Sequence, residues 1–168
     1  MRATAHAKLM FEADDYKRLK DRVPSLIGTK LTRGDPLWFA GVCEKVPNLS
    51  HFTGEYTFVP DCAGGAKGIY SWLAVTNPRL TLAWYDACRR GDWNHAMSIQ
   101  VLVNRYKLQI KSQWHGQSDA AVNKTDAALN PNISFSLQVR APYSSGTPED
   151  VERARQWAQE HFPDLLRL

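Results

Sequence analysis

The residue in this sequence best placed to do chemistry is Lys30. It ends a short, largely apolar run, Ser25-Leu26-Ile27-Gly28-Thr29-Lys30, and the polar turn Leu31-Thr32-Arg33-Gly34-Asp35-Pro36 follows it. Largely apolar runs of this length between turn formers read as buried strands of a parallel sheet. Pro24 on one side and Gly34-Asp35-Pro36 on the other supply the boundaries. A lysine at the last position of such a strand stands where the sheet opens onto loops, the face on which βα folds carry catalytic groups. Partial desolvation there lowers an amine's pKa and leaves more of it neutral, the form that attacks a carbonyl to make a Schiff base. The plain alternative is a solvated loop lysine. The surrounding elements have to decide between the two.

Those elements repeat with a βα rhythm. Residues 12–23 form an amphipathic helix with Phe11, Tyr16, Leu19 and Val23 at helical spacing, closed by Pro24. After the Lys30 strand, Asp35-Pro36 opens a second helix with proline at its first position, and Pro47 ends it. Residues 48–53 are a second strand, with Gly54-Glu55 as the turn after it. Residues 56–64 are a short helical segment stopped by Gly64-Gly65. Residues 68–75, β-branched and aromatic, read as a third strand, and Asn77-Pro78 caps a helix to Arg90. Strand and helix alternating in this way predict right-handed βαβ units on a parallel sheet.

After Gly91 no strand signal returns. A long helix is expected from Asp92 to about Gln113 and another over 119–129; residues 130–147 are irregular, and a last helix is capped by Thr147 with Pro148 behind it. Residues 1–10 show no periodicity and read as a strand end or loop. The expected domains are a βα part, residues 1–91, and a C-terminal helical region, residues 92–168.

Composition narrows the classes. A chain of 168 residues with 43% hydrophobic content has enough apolar side chains for one core. The charge of +4, from 21 Lys+Arg against 17 Asp+Glu, has no basic block and argues against nucleic-acid binding. Cys43, Cys62 and Cys88 have no CxxC pairing and read as reduced structural thiols. No stretch has the length of a membrane span and the polar start is no signal peptide, so a cytoplasmic protein is expected. The five histidines lack HxH or HExxH spacing, so no metal is expected, and His51 reads as a buried, hydrogen-bonded side chain. Gly64-Gly65-Ala66-Lys67-Gly68 lacks the spacing of a phosphate loop and precedes a strand.

Taken in order, several stretches resemble the C-terminal half of the dihydrodipicolinate synthase / N-acetylneuraminate lyase family of pyruvate-dependent class I aldolases. They are Val23-Pro24-Ser25-Leu26-Ile27-Gly28-Thr29-Lys30, Phe52-Thr53-Gly54-Glu55, Gly65-Ala66-Lys67-Gly68-Ile69-Tyr70-Ser71, Asn77-Pro78 and Gly91-Asp92-Trp93-Asn94-His95-Ala96-Met97. The resemblance implies a partial TIM (βα) barrel, strands six to eight of the family barrel, followed by a C-terminal helical extension. It implies that Lys30 forms the Schiff base with pyruvate, the iminium acting as the electron sink for carbon–carbon bond cleavage or formation. Thr53, Gly54 and Glu55 match the strand end where the family binds its aldehyde partner; Glu55 reads either as a hydrogen-bond acceptor for that partner or as a solvated acid. Tyr70 and Ser71 match the next strand. There the family commonly carries small or aliphatic residues, so Tyr70 and Trp72 either narrow the pocket and stack or pack outward.

The resemblance also implies what this stretch of the family does not carry: the strand-two threonines for the pyruvate carboxylate and the strand-five tyrosine that relays protons. The expectation is a truncated, Schiff-base lyase or synthase taking pyruvate or another 2-oxo acid and an aldehyde, without a cofactor and assembling as a homo-oligomer. The alternative is a non-catalytic fragment that acts only as an association or binding module through open strand edges.

Overall fold

The computed structural model describes residues 9–110 and 117–167; the expected strand end or loop over residues 1–10 lies mostly outside these, as does Gln113. The described chain runs α1 (Ala13–Arg22), β1 (Gly28–Leu31), α2 (Pro36–Lys45), β2 (Ser50–Thr53), a 3-10 turn (Glu55–Thr57), α3 (Phe58–Ala63), β3 (Gly68–Ile69), α4 (Leu73–Thr76), α5 (Pro78–Arg90), α6 (Trp93–Ile110), α7 (Asp119–Ala127), α8 (Pro148–His161) and α9 (Pro163–Leu166). Among the described residues no helix is long and apolar enough to cross a membrane. The chain divides into two compact units, Met1–Tyr70 with Ala87–Gln100, and Ser71–Asp86 with Val101–Leu168.

The first unit holds a parallel sheet in the order β1-β2-β3. Gly28 to Leu31 pair in register with Ser50 to Thr53, and Phe52 and Thr53 pair with Gly68 and Ile69. Side chains alternate across a strand. One face therefore carries Thr29, Leu31, His51 and Thr53, and the other carries Lys30, Ser50 and Phe52. The first face is covered: Leu31, Phe39, Val42, Val46, Leu49 and Ala66 form the core there, with Tyr16, Leu26 and Trp38 against it. The second face has Phe52 at 42% exposure. Gly68 is dictated by that face, because a Cβ there would sit 2.9 Å from the Phe52 ring. At Gly65 a φ of +112° selects glycine, and a Cβ there would also crowd the Cys43 side chain, which explains the stop after α3.

Cap chemistry follows the sequence. Asp35 accepts from the Trp38 amide with Pro36 at the first position of α2, and Ser118 accepts from the Ala121 amide before α7. Thr147 and Asp150 exchange reciprocal bonds at the start of α8. The Lys30 strand does not end at Lys30 but continues to Leu31, whose buried side chain anchors the strand end. The expected strand over residues 68–75 is corrected: only Gly68–Ile69 pairs. Ser71 turns the chain, its hydroxyl accepting from the Leu73 amide, and Leu73 and Thr76 are buried from a helix.

In the second unit the core is aromatic. Tyr106 stacks on Trp72 with centroids 5.2 Å apart and meets Phe162 edge-on at 5.5 Å. Asn77, fully buried, caps α5 through the Leu80 amide and donates to the carbonyls of Leu165 and Arg167. Thr76 donates to the Asp126 carbonyl.

Candidate active site

Because the three strands are parallel and in register, their carboxyl ends lie along one edge of the first unit. Lys30, the turn after Thr53 and Tyr70 meet there. The partial desolvation expected of this strand-end lysine is not found: Lys30 is exposed on the open face, with its Nζ 4.3 Å from the centroid of the Tyr70 ring. Among the described residues it makes no ion pair; the aromatic face is its partner. Tyr70 directly follows β3, and its amide donates to the Thr53 carbonyl, which prolongs the ladder by one residue. Its hydroxyl donates to the Leu31 carbonyl at 2.9 Å, so the ring bridges β3 to β1 across the sheet end. Burial pushes the Tyr70 phenol up to about 12, and the charges of Glu55 and Asp61 push the same way. At neutral pH it is a hydrogen-bond donor.

Gly54 lies under this ring, where a Cβ would be 3.3 Å from the Tyr70 hydroxyl. Glu55 opens the 3-10 turn, half-buried, and its main-chain carbonyl accepts from Gln100 Nε2 at 2.5 Å. Thr53 is 2% exposed and turns away from Lys30: its hydroxyl donates to Asp61 Oδ2, as does the Thr57 hydroxyl at 2.7 Å. What Thr53 offers the open edge is its backbone. Ser71 belongs to the second unit, where its hydroxyl serves the Leu73 amide.

Two residues that shape this edge were not singled out from the sequence. Asp61, on α3, is 2% exposed; burial raises its carboxyl while the two threonine hydroxyls oppose that, and its Oδ1 has no hydrogen-bond partner. Gln100, on α6, is 3% exposed and holds the Val59 amide through its Oε1 at 3.1 Å. Neither carried a local signal, since an aspartate and a glutamine on helices read as solvated positions.

His51 is buried, as its strand position suggested. Its Nε2 meets the Val46 carbonyl at 3.1 Å, which makes Nδ1 the acceptor for the Thr29 hydroxyl at 2.7 Å. That places a neutral ring in the core, its pKa pushed down by burial. A separate cavity of about 320 Å³ lies at the amino ends of the strands, lined by Cys43, Glu44, His51 and Lys67, among others, and by none of the Lys30 group. The three thiols are free, and burial pushes Cys43 up to about 11 and Cys62 to about 12.

Chemically, the strand-end group offers one primary amine on an open face, a protonated phenol against it and a carboxylate on the adjoining turn. An amine so placed can add to a carbonyl, and the neighbouring acid can receive hydrogen bonds from whatever that carbonyl brings with it.

No protein-family model and no curated protein matches the sequence. The fold does match solved structures. Dihydrodipicolinate synthase from Bacteroides thetaiotaomicron superposes with a TM-score of 0.77 at 21% identity, over 93% of this chain and 53% of that one. N-acetylneuraminate lyase from Fusobacterium nucleatum gives 0.74 at 16% identity, over 94% and 52%. A prophage protein of the dihydrodipicolinic acid synthase family from Escherichia coli, solved in complex with pyruvate, gives 0.72 at 19% identity, over 89% and 50%. The chain therefore spans about half the length of each of these structures, and its three-stranded parallel sheet and helices match part of their barrel.

Proposed function

From a fold that matches about half the length of dihydrodipicolinate synthase and N-acetylneuraminate lyase chains, we propose that this chain belongs to that family and that Lys30 is its Schiff-base lysine. The observation that carries the reading is the placement of Lys30 on the open sheet face at the strand ends, against Tyr70 and beside the Gly54-Glu55 turn. On this reading β1, β2 and β3 are strands six, seven and eight of the family barrel, the open face is its interior, and residues 92–168 are the helical extension. Pyruvate or a related 2-oxo acid is the first substrate, in keeping with the pyruvate complex of the Escherichia coli neighbour, and an aldehyde is the second.

In the proposed reaction the neutral Lys30 amine adds to the 2-oxo carbon and the carbinolamine loses water, leaving a cationic iminium. Loss of a proton from the neighbouring methyl carbon to water gives an enamine, whose carbon attacks the aldehyde. The new alkoxide takes a proton back from water, and hydrolysis of the iminium releases the product and frees Lys30; the reverse sequence cleaves the same bond. The Tyr70 ring face, which holds the ammonium of the free lysine, stabilises the iminium cation in the same place. The Tyr70 phenol is a donor rather than a base, and Glu55 is the acceptor presented to the aldehyde partner.

Borohydride trapping in the presence of pyruvate, read by intact mass, tests this directly. Wild-type chain is expected to gain one pyruvyl group on Lys30, and Lys30→Ala to gain none. A folded wild-type chain that traps nothing would defeat the reading. The open face, with Phe52 at 42% exposure, favours one other reading: a non-catalytic module that associates through this sheet. Concentration-dependent association together with absent trapping would select it.

A further inference from the structure

The turn that presents Glu55 is gripped from behind by a side chain on a distant helix. Gln100 lies 3% exposed on α6, and its amide group bonds two backbone groups of this turn: Nε2 donates to the Glu55 carbonyl at 2.5 Å and Oε1 accepts from the Val59 amide at 3.1 Å. These two backbone groups bracket the 3-10 turn and the start of α3, whose 3-10 turn has no side-chain cap of its own. Asp61 fixes the same stretch from inside, taking the hydroxyls of Thr53 before the turn and Thr57 at its end. Four residues between Thr53 and Val59 are thus tied to two buried polar side chains.

We infer that Gln100 is a positioning residue for recognition of the carbonyl partner, acting through Glu55 rather than touching substrate. The inference rests on the reading of Lys30 given above. Its physical basis is that a carboxylate confers specificity only if its backbone is held still, and that a buried amide bound at both ends is costly to displace. A purely structural glutamine would be satisfied by any pair of backbone groups. This one holds the carbonyl of the residue whose charge acts on Tyr70, the ring against which Lys30 rests. The expected signature is a KM effect confined to partners that hydrogen-bond to Glu55.

The test uses the full chain, pyruvate, and two aldehydes: glyceraldehyde, whose hydroxyls can donate to a carboxylate, and propanal, which lacks them. Gln100→Glu keeps the acceptor for the Val59 amide and loses the donor to the Glu55 carbonyl; Gln100→Leu loses both. Both are expected to raise the KM for glyceraldehyde about fivefold to tenfold, with kcat changed much less and with propanal little affected. Borohydride trapping of pyruvate on Lys30 serves as the control that the site is formed. Equal losses on both aldehydes, or a fall in kcat alone, would show Gln100 to be a scaffold residue and overturn the inference. Trapping without glyceraldehyde turnover in the wild type would overturn it while leaving Lys30 standing. Absence of trapping in folded wild type would remove both.

Discussion

Among the described residues two lysines sit over aromatic rings, Lys30 and Lys107, and they are opposites in everything else. Lys107, in the second unit, has its Nζ 3.9 Å from the Trp72 ring, 9% side-chain exposure, and a 3.0 Å ion pair to the fully buried Asp126. Tyr106, also fully buried, donates its hydroxyl to the other Asp126 oxygen at 2.8 Å. Every polar atom of that aspartate is engaged, and its surroundings are aromatic. Lys30 has the ring and nothing else: it is exposed, and no carboxylate among the described residues pairs with it. A lysine locked by a buried carboxylate is committed to holding the fold together. One resting against a ring on an open face keeps its nitrogen available. On the function proposed above, the first is a structural ammonium and the second the reacting amine.

Removing one partner of the locked pair has the largest expected effect. Lys107→Met leaves Asp126 buried without its cation, at a cost of about 3–5 kcal/mol, enough to lower the melting temperature by many degrees or to prevent folding. A loss below about 1 kcal/mol by chemical denaturation would mean that the pair is solvated and that the contrast is not real. Lys30→Ala is expected to do the reverse. It should abolish pyruvate trapping while costing under about 1 kcal/mol, since only an exposed cation–π contact goes. A large stability loss on Lys30→Ala would mark it as structural.

A smaller effect sharpens the site itself. Tyr70→Phe keeps the ring over Lys30 and removes only the hydroxyl bond to the Leu31 carbonyl. It is expected to cost about 1 kcal/mol in stability and to leave trapping in place. Tyr70→Leu removes the ring as well and should slow trapping several-fold. Equal trapping by the two variants would mean that the ring face contributes nothing to the amine.

The two regions were unequally legible in the sequence. The βα part was readable because its signals are local: Pro24, Asp35-Pro36 and Gly64-Gly65 punctuate it, and a strand-end lysine, a Gly-Glu turn and a tyrosine mark its open edge. What escaped there was held from afar. Gln100 is forty-five residues from the carbonyl it grips, and Asp61 carries no motif. The short β3 shows the same limit from the other side. Trp72 and Val75 have strand composition, yet Leu73–Thr76 is helical because Ser71 turns the chain and because Thr76 and Trp72 are needed against Asp126 and Tyr106. Tertiary partners overruled local preference. In the helical region the Lys107, Asp126 and Tyr106 cluster is spread over nineteen and twenty residues of sequence, with no spacing that would announce it.

The smallest expected effect concerns acid, and it separates the two regions by sign. His51 is neutral in the core of the first unit, and burial holds its pKa below the ordinary 6.5. Its contribution is fully present above that value. As pH falls below it the unfolded chain takes up a proton that the folded ring resists, and stability declines. Between pH 7 and pH 5.5 the loss is at most about 1.3 kcal/mol, set by the protonation of the unfolded histidine. Asp126 runs the other way. Burial raises its carboxyl above the ordinary 3.8 despite Lys107, so acid near that range does not draw on the second unit through this group. Amide exchange resolved by region, measured at pH 7 and pH 5.5 and corrected for intrinsic rates, is therefore expected to show weakened protection around Phe39 and Val42 with little change around Tyr106. His51→Gln should flatten the first response. Equal weakening in both regions would place the acid sensitivity elsewhere, and the neutral histidine and the buried ion pair would no longer be distinguishable by this route.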